Sequence, residues 1–184
     1  MRYLLLALCL GLTACSNTTS SFIVSPQVFW NQSNELKGAE FSLQVVDQRN
    51  SDQTLFLRDG AKVNSRPTSN NLAETLEISL TNAFQAQGAQ VVSSSPTSIT
   101  VQIIRLNADA DQRTVEHLVK NDVELKLIIE NSAGSFDKAY AGKSSFSGPF
   151  KLDTAVAEGK LRVLTEQVLA ELLKDQSWHS YAKG

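Results

Sequence analysis

Thiol and imidazole groups are scarce in this sequence of 184 residues, which contains two cysteines and two histidines. Cys9 and Cys15 both lie within the first fifteen residues, so no disulfide framework can cross-link the remainder of the chain. His117 and His179 are far apart, and neither belongs to a cluster with the spacing of metal ligands. We therefore predict neither a metal site nor a cofactor.

An excess of charge of one sign is also lacking. The chain has 17 basic and 19 acidic residues and a formal net charge of −2. This balance offers no broad basic surface for nucleic acid, which we exclude as a partner. The hydrophobic share of 42% and the charged share of 20% are those of an ordinary globular protein.

Complete catalytic motifs are missing as well. No G-x-S-x-G stretch supplies a nucleophile elbow. Gly142–Ser144 resembles the end of a phosphate-binding loop, but Asp137 stands where that loop needs its first glycine. Residues 107–111 resemble the opening of a calcium loop, but Gln112 takes the place of its glycine. We predict no catalytic residue, and we expect residues 107–111 to form a solvated loop between two strands.

The apolar run near the N-terminus is too short to span a membrane. Tyr3–Ala14 would reach about 18 Å as a helix, against roughly 30 Å for the hydrocarbon core. Arg2 precedes the run and small residues follow it, which is typical of an export signal. Residues 1–14 are therefore predicted to be a signal peptide.

The end of this run, Leu12–Cys15, resembles the lipobox of bacterial lipoproteins. The resemblance implies cleavage before Cys15 and acylation of Cys15. The small polar residues 16–21 predict a flexible tether, so residues 15–21 comprise the acylated cysteine and the tether. The length of the remainder suits a single domain over residues 22–184. The acyl chains would anchor the protein to the lipid bilayer and leave no free thiol as a nucleophile. Ser16 in place of an aspartate resembles the signal for transfer to the outer membrane, where the domain would face the periplasm. A plain secretory peptide with an incidental cysteine is the alternative.

Alternation of apolar and polar residues predicts four strands, bounded by Ala39–Val46, Ser98–Leu106, Asp122–Glu130 and Phe136–Phe146. Asp59-Gly60, between the short runs 54–58 and 61–63, predicts a β-hairpin with a type I′ turn. The apolar segment 22–30 is expected to dock on the core as an irregular strand interrupted at Pro26.

Two amphipathic helices are predicted. Asn71 has the spacing of an N-cap before the first, which ends at Gly88, and Asp153 caps the second, which ends near Lys174. Their apolar stripes are Leu72, Leu76, Leu80, Ala83 and Phe84 in the first helix and Val156, Leu161, Leu164, Val168 and Leu172 in the second. We expect an α+β two-layer sandwich in which both helices cover one face of a mainly antiparallel sheet of four or five strands, with a small hairpin beside it.

Candidate partner-binding residues fall in two regions. Asp47 and Arg49 continue the parity of an apolar strand face, so they place an acid and a base at the rim of the sheet. They would either stabilise a turn as an ion pair or receive a partner, together with nearby Arg58, Asp59 and Arg66. The second region holds Trp178 and Tyr181, beyond the last helix, which would either contact a partner or pack over the sheet edge.

Taken together, the lipobox, the strand end Val45–Arg49, the helix closing at Gly88 and the final amphipathic helix resemble the YajG family of bacterial lipoproteins. That resemblance brings no established catalytic residues. We expect a noncatalytic lipoprotein that binds an envelope partner, a protein or a glycan, in cell-envelope assembly or maintenance. A periplasmic hydrolase of cell-wall fragments, with Asp47 as general acid or base, and a purely structural accessory subunit are the alternatives.

Overall fold

The computed structural model describes residues 21–184. The predicted signal peptide 1–14, Cys15 and all of the tether except Ser21 lie outside the described residues. Within residues 21–184, none of the helices combines the length and the apolar character that crossing a bilayer requires.

The described residues form seven strands and three α-helices. In chain order these are β1 Glu40–Asp47, β2 Gln53–Asp59, β3 Lys62–Pro67, α1 Leu72–Ala86, β4 Gln90–Val92, β5 Ser98–Gln112, β6 Glu116–Asn131, β7 Gly134–Pro149, α2 Thr154–Lys174 and α3 His179–Ala182. A single 3₁₀ turn, Gln176–Trp178, separates α2 from α3.

All seven strands belong to one curled, mixed sheet. β5, β6 and β7 form a long antiparallel ladder, and β1 and β2 both pair in parallel with the other edge of β5. β4 then pairs with β1, and β3 pairs with β2. The expected α+β class is confirmed, but the mainly antiparallel sandwich of four or five strands is wrong. The reason is that the hairpin joins the main sheet and that the chain returns through α1 to make β5 parallel to β1.

The long strands extend beyond the sequence prediction. Residues 107–111, expected to form a loop, are part of β5, with Ala108 and Ala110 fully buried on one face and Asn107, Asp109 and Asp111 on the other. Alanine is a weak hydrophobic signal, and aspartate and asparagine disfavour strands, so the pattern was missed. Pairing with β2 on one edge and β6 on the other overrides these local preferences.

The predicted hairpin is confirmed, but its turn lies one residue further along. Asp59 pairs with Lys62, so Gly60 and Ala61 are the loop residues. Gly60 has a φ of 57° and Ala61 is not among the residues with positive φ. A type I′ turn needs positive φ at both central positions, so the predicted turn type is wrong.

Both helices begin and end close to the predicted positions because their caps are local. The Asn71 side chain accepts a hydrogen bond from the Glu74 backbone N–H at 3.2 Å, and the Asp153 side chain accepts one from the Ala155 N–H. One residue of the predicted stripe is misplaced, since Val156 is 45% exposed and Ala157 is buried instead.

The two helices share one core on a single face of the sheet. Phe84 of α1 packs edge-to-face against Phe41 of β1 and against Trp178, with ring centroids 5.4 Å and 5.8 Å away. The N-terminal segment 22–30 lies extended against both helices, as expected, although it forms no strand. Its backbone donates to Glu158 of α2 and to Ser79 of α1.

The glycine of the 142–144 segment allows α2 to approach β7 closely. A Cβ atom at Gly142 would lie 2.9 Å from Val168 Cγ2 and 3.0 Å from Leu164 Cδ1, both in the packed core. The segment is therefore strand backbone beneath a helix and not the end of a phosphate-binding loop.

Two glycine substitutions are expected to have opposite effects on stability. Gly159 lies inside α2 with nothing within 4 Å of a built Cβ atom, so Gly159→Ala should raise the free energy of unfolding by roughly 0.5–1 kcal/mol. Gly142→Ala should lower it, because the methyl group meets Val168 and Leu164. Urea denaturation of both variants measures the difference, and a change of the same sign in both would contradict the packing described.

Candidate functional site

The junction between β1 and β2 is the first place where functional candidates come together. Asp47 lies opposite Ile103 of β5, and Leu55 lies opposite Ala108. The chain thus advances eight positions from Asp47 to Leu55 while β5 advances five. The residues between Asp47 and Leu55 are too many to continue the pairing with β5, so they loop out of the sheet. This loop leaves a gap between the end of β1 and the start of β2.

The Arg49 side chain fills this gap. Its Nη2 donates to Asp47 Oδ2 at 2.8 Å, and its Nη1 donates to Thr54 Oγ1 at 2.9 Å and to the Leu106 carbonyl at 3.3 Å. The Arg49 side chain is 7% exposed and the Asp47 side chain is 34% exposed. The sequence left two alternatives for Asp47 and Arg49, an ion pair that stabilises a turn or a pair that receives a partner. The structure contains the ion pair.

The ion pair favours the ionised form of Asp47. Burial disfavours the charged carboxylate, but the hydrogen bonds and the positive charge of Arg49 outweigh burial and hold the pKa of Asp47 below its usual 3.8. Near neutral pH, Asp47 is an ionised carboxylate without a proton to donate.

A groove of about 870 Å³ lies on the face of the sheet opposite the helices. It is formed by β2, β5, β6 and β7, whose side chains alternate between the core and this face. Its charged lining residues are Arg58, Asp109, Asp111, Lys120, Asp122 and Lys143. The groove therefore carries both signs of charge.

Most charges of the groove are held in place by one another. Arg58 Nη2 lies 2.9 Å from Asp109 Oδ1, and Asn107 Nδ2 donates to the second oxygen of Asp109 at 2.8 Å. Asp122 Oδ2 lies 3.4 Å from Arg105 Nε and 3.6 Å from Lys143 Nζ.

Two groups in the groove keep unused bonding capacity. The buried Oδ1 of Asp122 accepts no hydrogen bond from the described part of the chain. Lys120 is exposed and makes no ion pair with any acid among residues 21–184. The Lys120 ammonium is therefore a cation available to a ligand, whereas Asp122 Oδ1 is enclosed by the protein.

The structure distributes the predicted site residues over several places. Of the first group, Arg58 lines the groove, Asp59 is exposed where β2 meets the hairpin turn, and Arg66 is half-buried in β3 opposite Leu55. Asp47 and Arg49 lie at the strand junction instead.

The second predicted group does not form one surface. Trp178 is fully buried, and its Nε1 donates to the Leu172 carbonyl at 3.0 Å, so the packing alternative describes its position. Tyr181 is 37% exposed and packs on Phe136 with ring centroids 5.2 Å apart.

Sequence reasoning missed most of the groove. Asp109 and Asp111 were expected in a loop, and Lys120 lay outside the predicted strand of β6. The available signal was the alternation of alanine with acidic or amide residues over 107–111, which matches the period of a strand. Among residues 21–184, no three His, Cys, Asp or Glu side chains come together in a way that could hold a metal ion.

Removing the Arg49 side chain should destabilise the domain far more than removing the Arg58 side chain in the groove. Arg49→Ala leaves Asp47 without its counter-charge and the Leu106 carbonyl and Thr54 hydroxyl without a donor, so we expect a loss on the order of 3 kcal/mol in the free energy of unfolding. Arg58→Ala, a matched control with a 56% exposed side chain, should change it by less than about 0.5 kcal/mol. Urea denaturation compares them, and equal losses would refute the assigned role of Arg49.

Comparisons with solved structures find similarities at low sequence identity. The chain is similar to a protein of Xanthomonas campestris, at 16% identity and a TM-score of 0.49 over 83% of this chain and 89% of that chain. It is also similar to a minor lipoprotein of Acinetobacter baumannii, at 13% identity and a TM-score of 0.40 over 74% and 88%. A lipoprotein of Neisseria meningitidis matches at 9% identity and a TM-score of 0.35 over 74% and 99%.

The comparison with protein families matches most of the chain. No curated protein sequence matches the chain. Residues 26–183, however, match the model of a family described as uncharacterized lipoprotein, which is nearly the whole of the described chain. This match confirms the resemblance noted from the sequence. The chain therefore belongs to this family of bacterial lipoproteins of the YajG type.

Proposed function

We propose that the protein is a noncatalytic lipoprotein, anchored in the outer membrane through acylated Cys15, whose periplasm-facing domain binds an envelope protein in cell-envelope assembly or maintenance. The binding site is the groove between β2 and β7 on the helix-free face of the sheet. The observation that carries the proposal is the set of charges of both signs in this groove, which neighbouring side chains hold in place.

Anchoring is supported by membership of a lipoprotein family and by the lipobox around Cys15. Six tether residues after Cys15 reach at most about 20 Å, so the domain would stay close to the membrane. Two or three acyl chains hold a protein on a bilayer stably. Ser16, the residue after the acylated cysteine, favours the outer membrane over the inner one.

The groove fits a polar protein segment better than a glycan. None of its lining residues is aromatic, so it offers no ring on which a sugar could stack. Its charges are already ordered by neighbouring side chains, which reduces the entropy lost when a partner with complementary charges binds. Lys120 supplies an exposed cation that forms no ion pair within residues 21–184.

The arrangement around Asp47 argues against the hydrolase alternative. A general acid needs a proton near neutral pH, and the Arg49 guanidinium lowers the pKa of Asp47. Both carboxylate oxygens of Asp47 are bound to Arg49, so neither is free to activate a water molecule. We therefore favour binding over catalysis.

The location is tested at the residue that follows the lipidated cysteine. Ser16→Asp should move the acylated protein from the outer-membrane to the inner-membrane fraction of a sucrose gradient, because that residue directs the transfer. Ser16→Thr is the matched control and should stay in the outer membrane. Mass spectrometry should find residues 1–14 removed and Cys15 acylated, and an unmodified N-terminus would reject the anchor.

Partner binding is tested by photo-crosslinking in living cells. A photoreactive amino acid at Ser145 in the groove should give a discrete protein adduct, whereas the same residue at exposed Gln167 on α2 should give none. Lys120→Glu should reduce the Ser145 adduct about fivefold or more, since about 1 kcal/mol of binding free energy corresponds to that factor. Lys160→Glu on α2 is the matched charge reversal and should leave the adduct unchanged.

The nature of the adduct decides between the partner classes. An adduct that disappears on muramidase digestion would assign the groove to a glycan and reject a protein partner. An adduct from Gln167 but not from Ser145 would place the interaction on the helical face and reject the groove.

A further inference from the structure

Phe150 adopts a backbone conformation that phenylalanine normally avoids. Its φ is 59°, and within residues 21–184 no other residue except glycine has a positive φ. The left-handed region is unfavourable for a bulky side chain. The ring is nevertheless 71% exposed, so its packing inside the domain does not compensate for the strain. Such strain is typical of functional positions.

Buried polar groups hold Phe150 in this conformation. Its backbone N–H donates to the Val115 carbonyl at 2.9 Å. Its own carbonyl accepts from Gln112 Nε2 at 3.1 Å and from His117 Nδ1 at 3.0 Å. Gln112 and His117 are 8% and 7% exposed, so the turn that presents the ring is anchored in the interior.

Other exposed apolar side chains surround the same end of the domain. Val115, at the β5–β6 turn, is 68% exposed, and Ile23 and Val156 are each 45% exposed. We call Ile23, Val115, Phe150 and Val156 the apolar tip. The Leu152 N–H donates to Gln112 Oε1 at 3.0 Å, which ties the start of α2 to the β5–β6 turn.

The chain leaves the domain toward Cys15 at this same end. The Ile23 N–H donates to Glu158 Oε1 and the Gln27 N–H donates to Glu166 Oε1, so segment 22–30 runs in the same direction as α2. Going back from Ile23 to Ser21, the chain therefore heads beyond the first turn of α2. Five residues separate Ser21 from Cys15, so the six steps of chain between them reach at most about 20 Å.

We infer that the apolar tip contacts the phospholipid surface in which Cys15 is anchored, and so orients the domain with one end on the membrane. The inference rests on the proposed acylation of Cys15. A few exposed apolar side chains bind a membrane only weakly, but the acyl anchor makes their contact intramolecular. The charges around the tip, including Arg113, Glu116, Lys151 and Asp153, are of mixed sign. The contact therefore depends on apolar insertion and not on anionic lipid.

The test uses the full acylated protein in vesicles of phosphatidylethanolamine and phosphatidylglycerol. Val115→Cys supplies the only free thiol, which is labelled with an environment-sensitive fluorophore. Its emission should shift to the blue, and lipids carrying a nitroxide near the headgroup should quench it about twofold or more. Lys174→Cys, exposed at the other end of α2, is the matched control and should show neither effect.

A second substitution tests the role of the Phe150 ring in a domain whose fold is preserved. Phe150→Gly removes the side chain, and glycine adopts positive φ without strain, so the thermal midpoint should stay equal or rise. In this variant the quenching of the label at position 115 should fall toward that of the control position. Unchanged quenching would overturn the role of Phe150.

The remaining outcomes distinguish the inference from the anchor. Protein that floats with the vesicles while its label at position 115 is neither shifted nor quenched would keep the anchor and overturn the inference. A blue shift without quenching by lipid would assign the apolar tip to a protein contact, such as a second copy, and also overturn it. Protein that fails to float would reject the acyl anchor and the inference together.

Discussion

The Arg49 guanidinium occupies the point at which two strands meet end to end along one edge of β5. A strand edge presents carbonyl groups that must find donors. After Gln48, whose N–H donates to the Ile103 carbonyl, strand pairing with β5 resumes only at Leu55. Arginine can serve here because its donors are fixed in a planar fork that reaches several acceptors at once. It binds Asp47, Thr54 and the Leu106 carbonyl together, and so joins β1, β2 and β5.

The groove depends on this junction. Because β2 continues along β5 in a defined register, Arg58 lies opposite Asp111 and reaches Asp109. Helices α1 and α2 cover the other face, where Ala108 and Ala110 are buried, which leaves the charged positions of β5 and β6 to solvent. One sheet therefore supplies a core on one side and a polar surface on the other.

The proposed roles are separated in space. Segment 22–30 runs alongside α2, and its first residues lie at the end of the domain where Phe150 and Val115 are exposed. The groove lies on a sheet face, and the C-terminal turn around Trp178 serves the core. Asp175 fixes that turn because it accepts hydrogen bonds from Lys138, Tyr140 and the Ser177 N–H. Burial opposes the ionisation of Asp175, but these hydrogen bonds hold its pKa well below the ordinary value. Attachment, binding and stability thus fall to different parts of a small domain.

The sequence by itself determined the features that depend on neighbouring residues. Asn71 and Asp153 begin the helices and Gly88 ends the first, because capping involves groups within a few positions of one another. Only the tertiary structure decided the length of β5, the burial of Trp178 and the gathering of Arg58, Lys120 and Asp122 around one groove. These features depend on which strands lie beside β5, and strand pairing joins residues that are distant in the chain, so local patterns do not specify it.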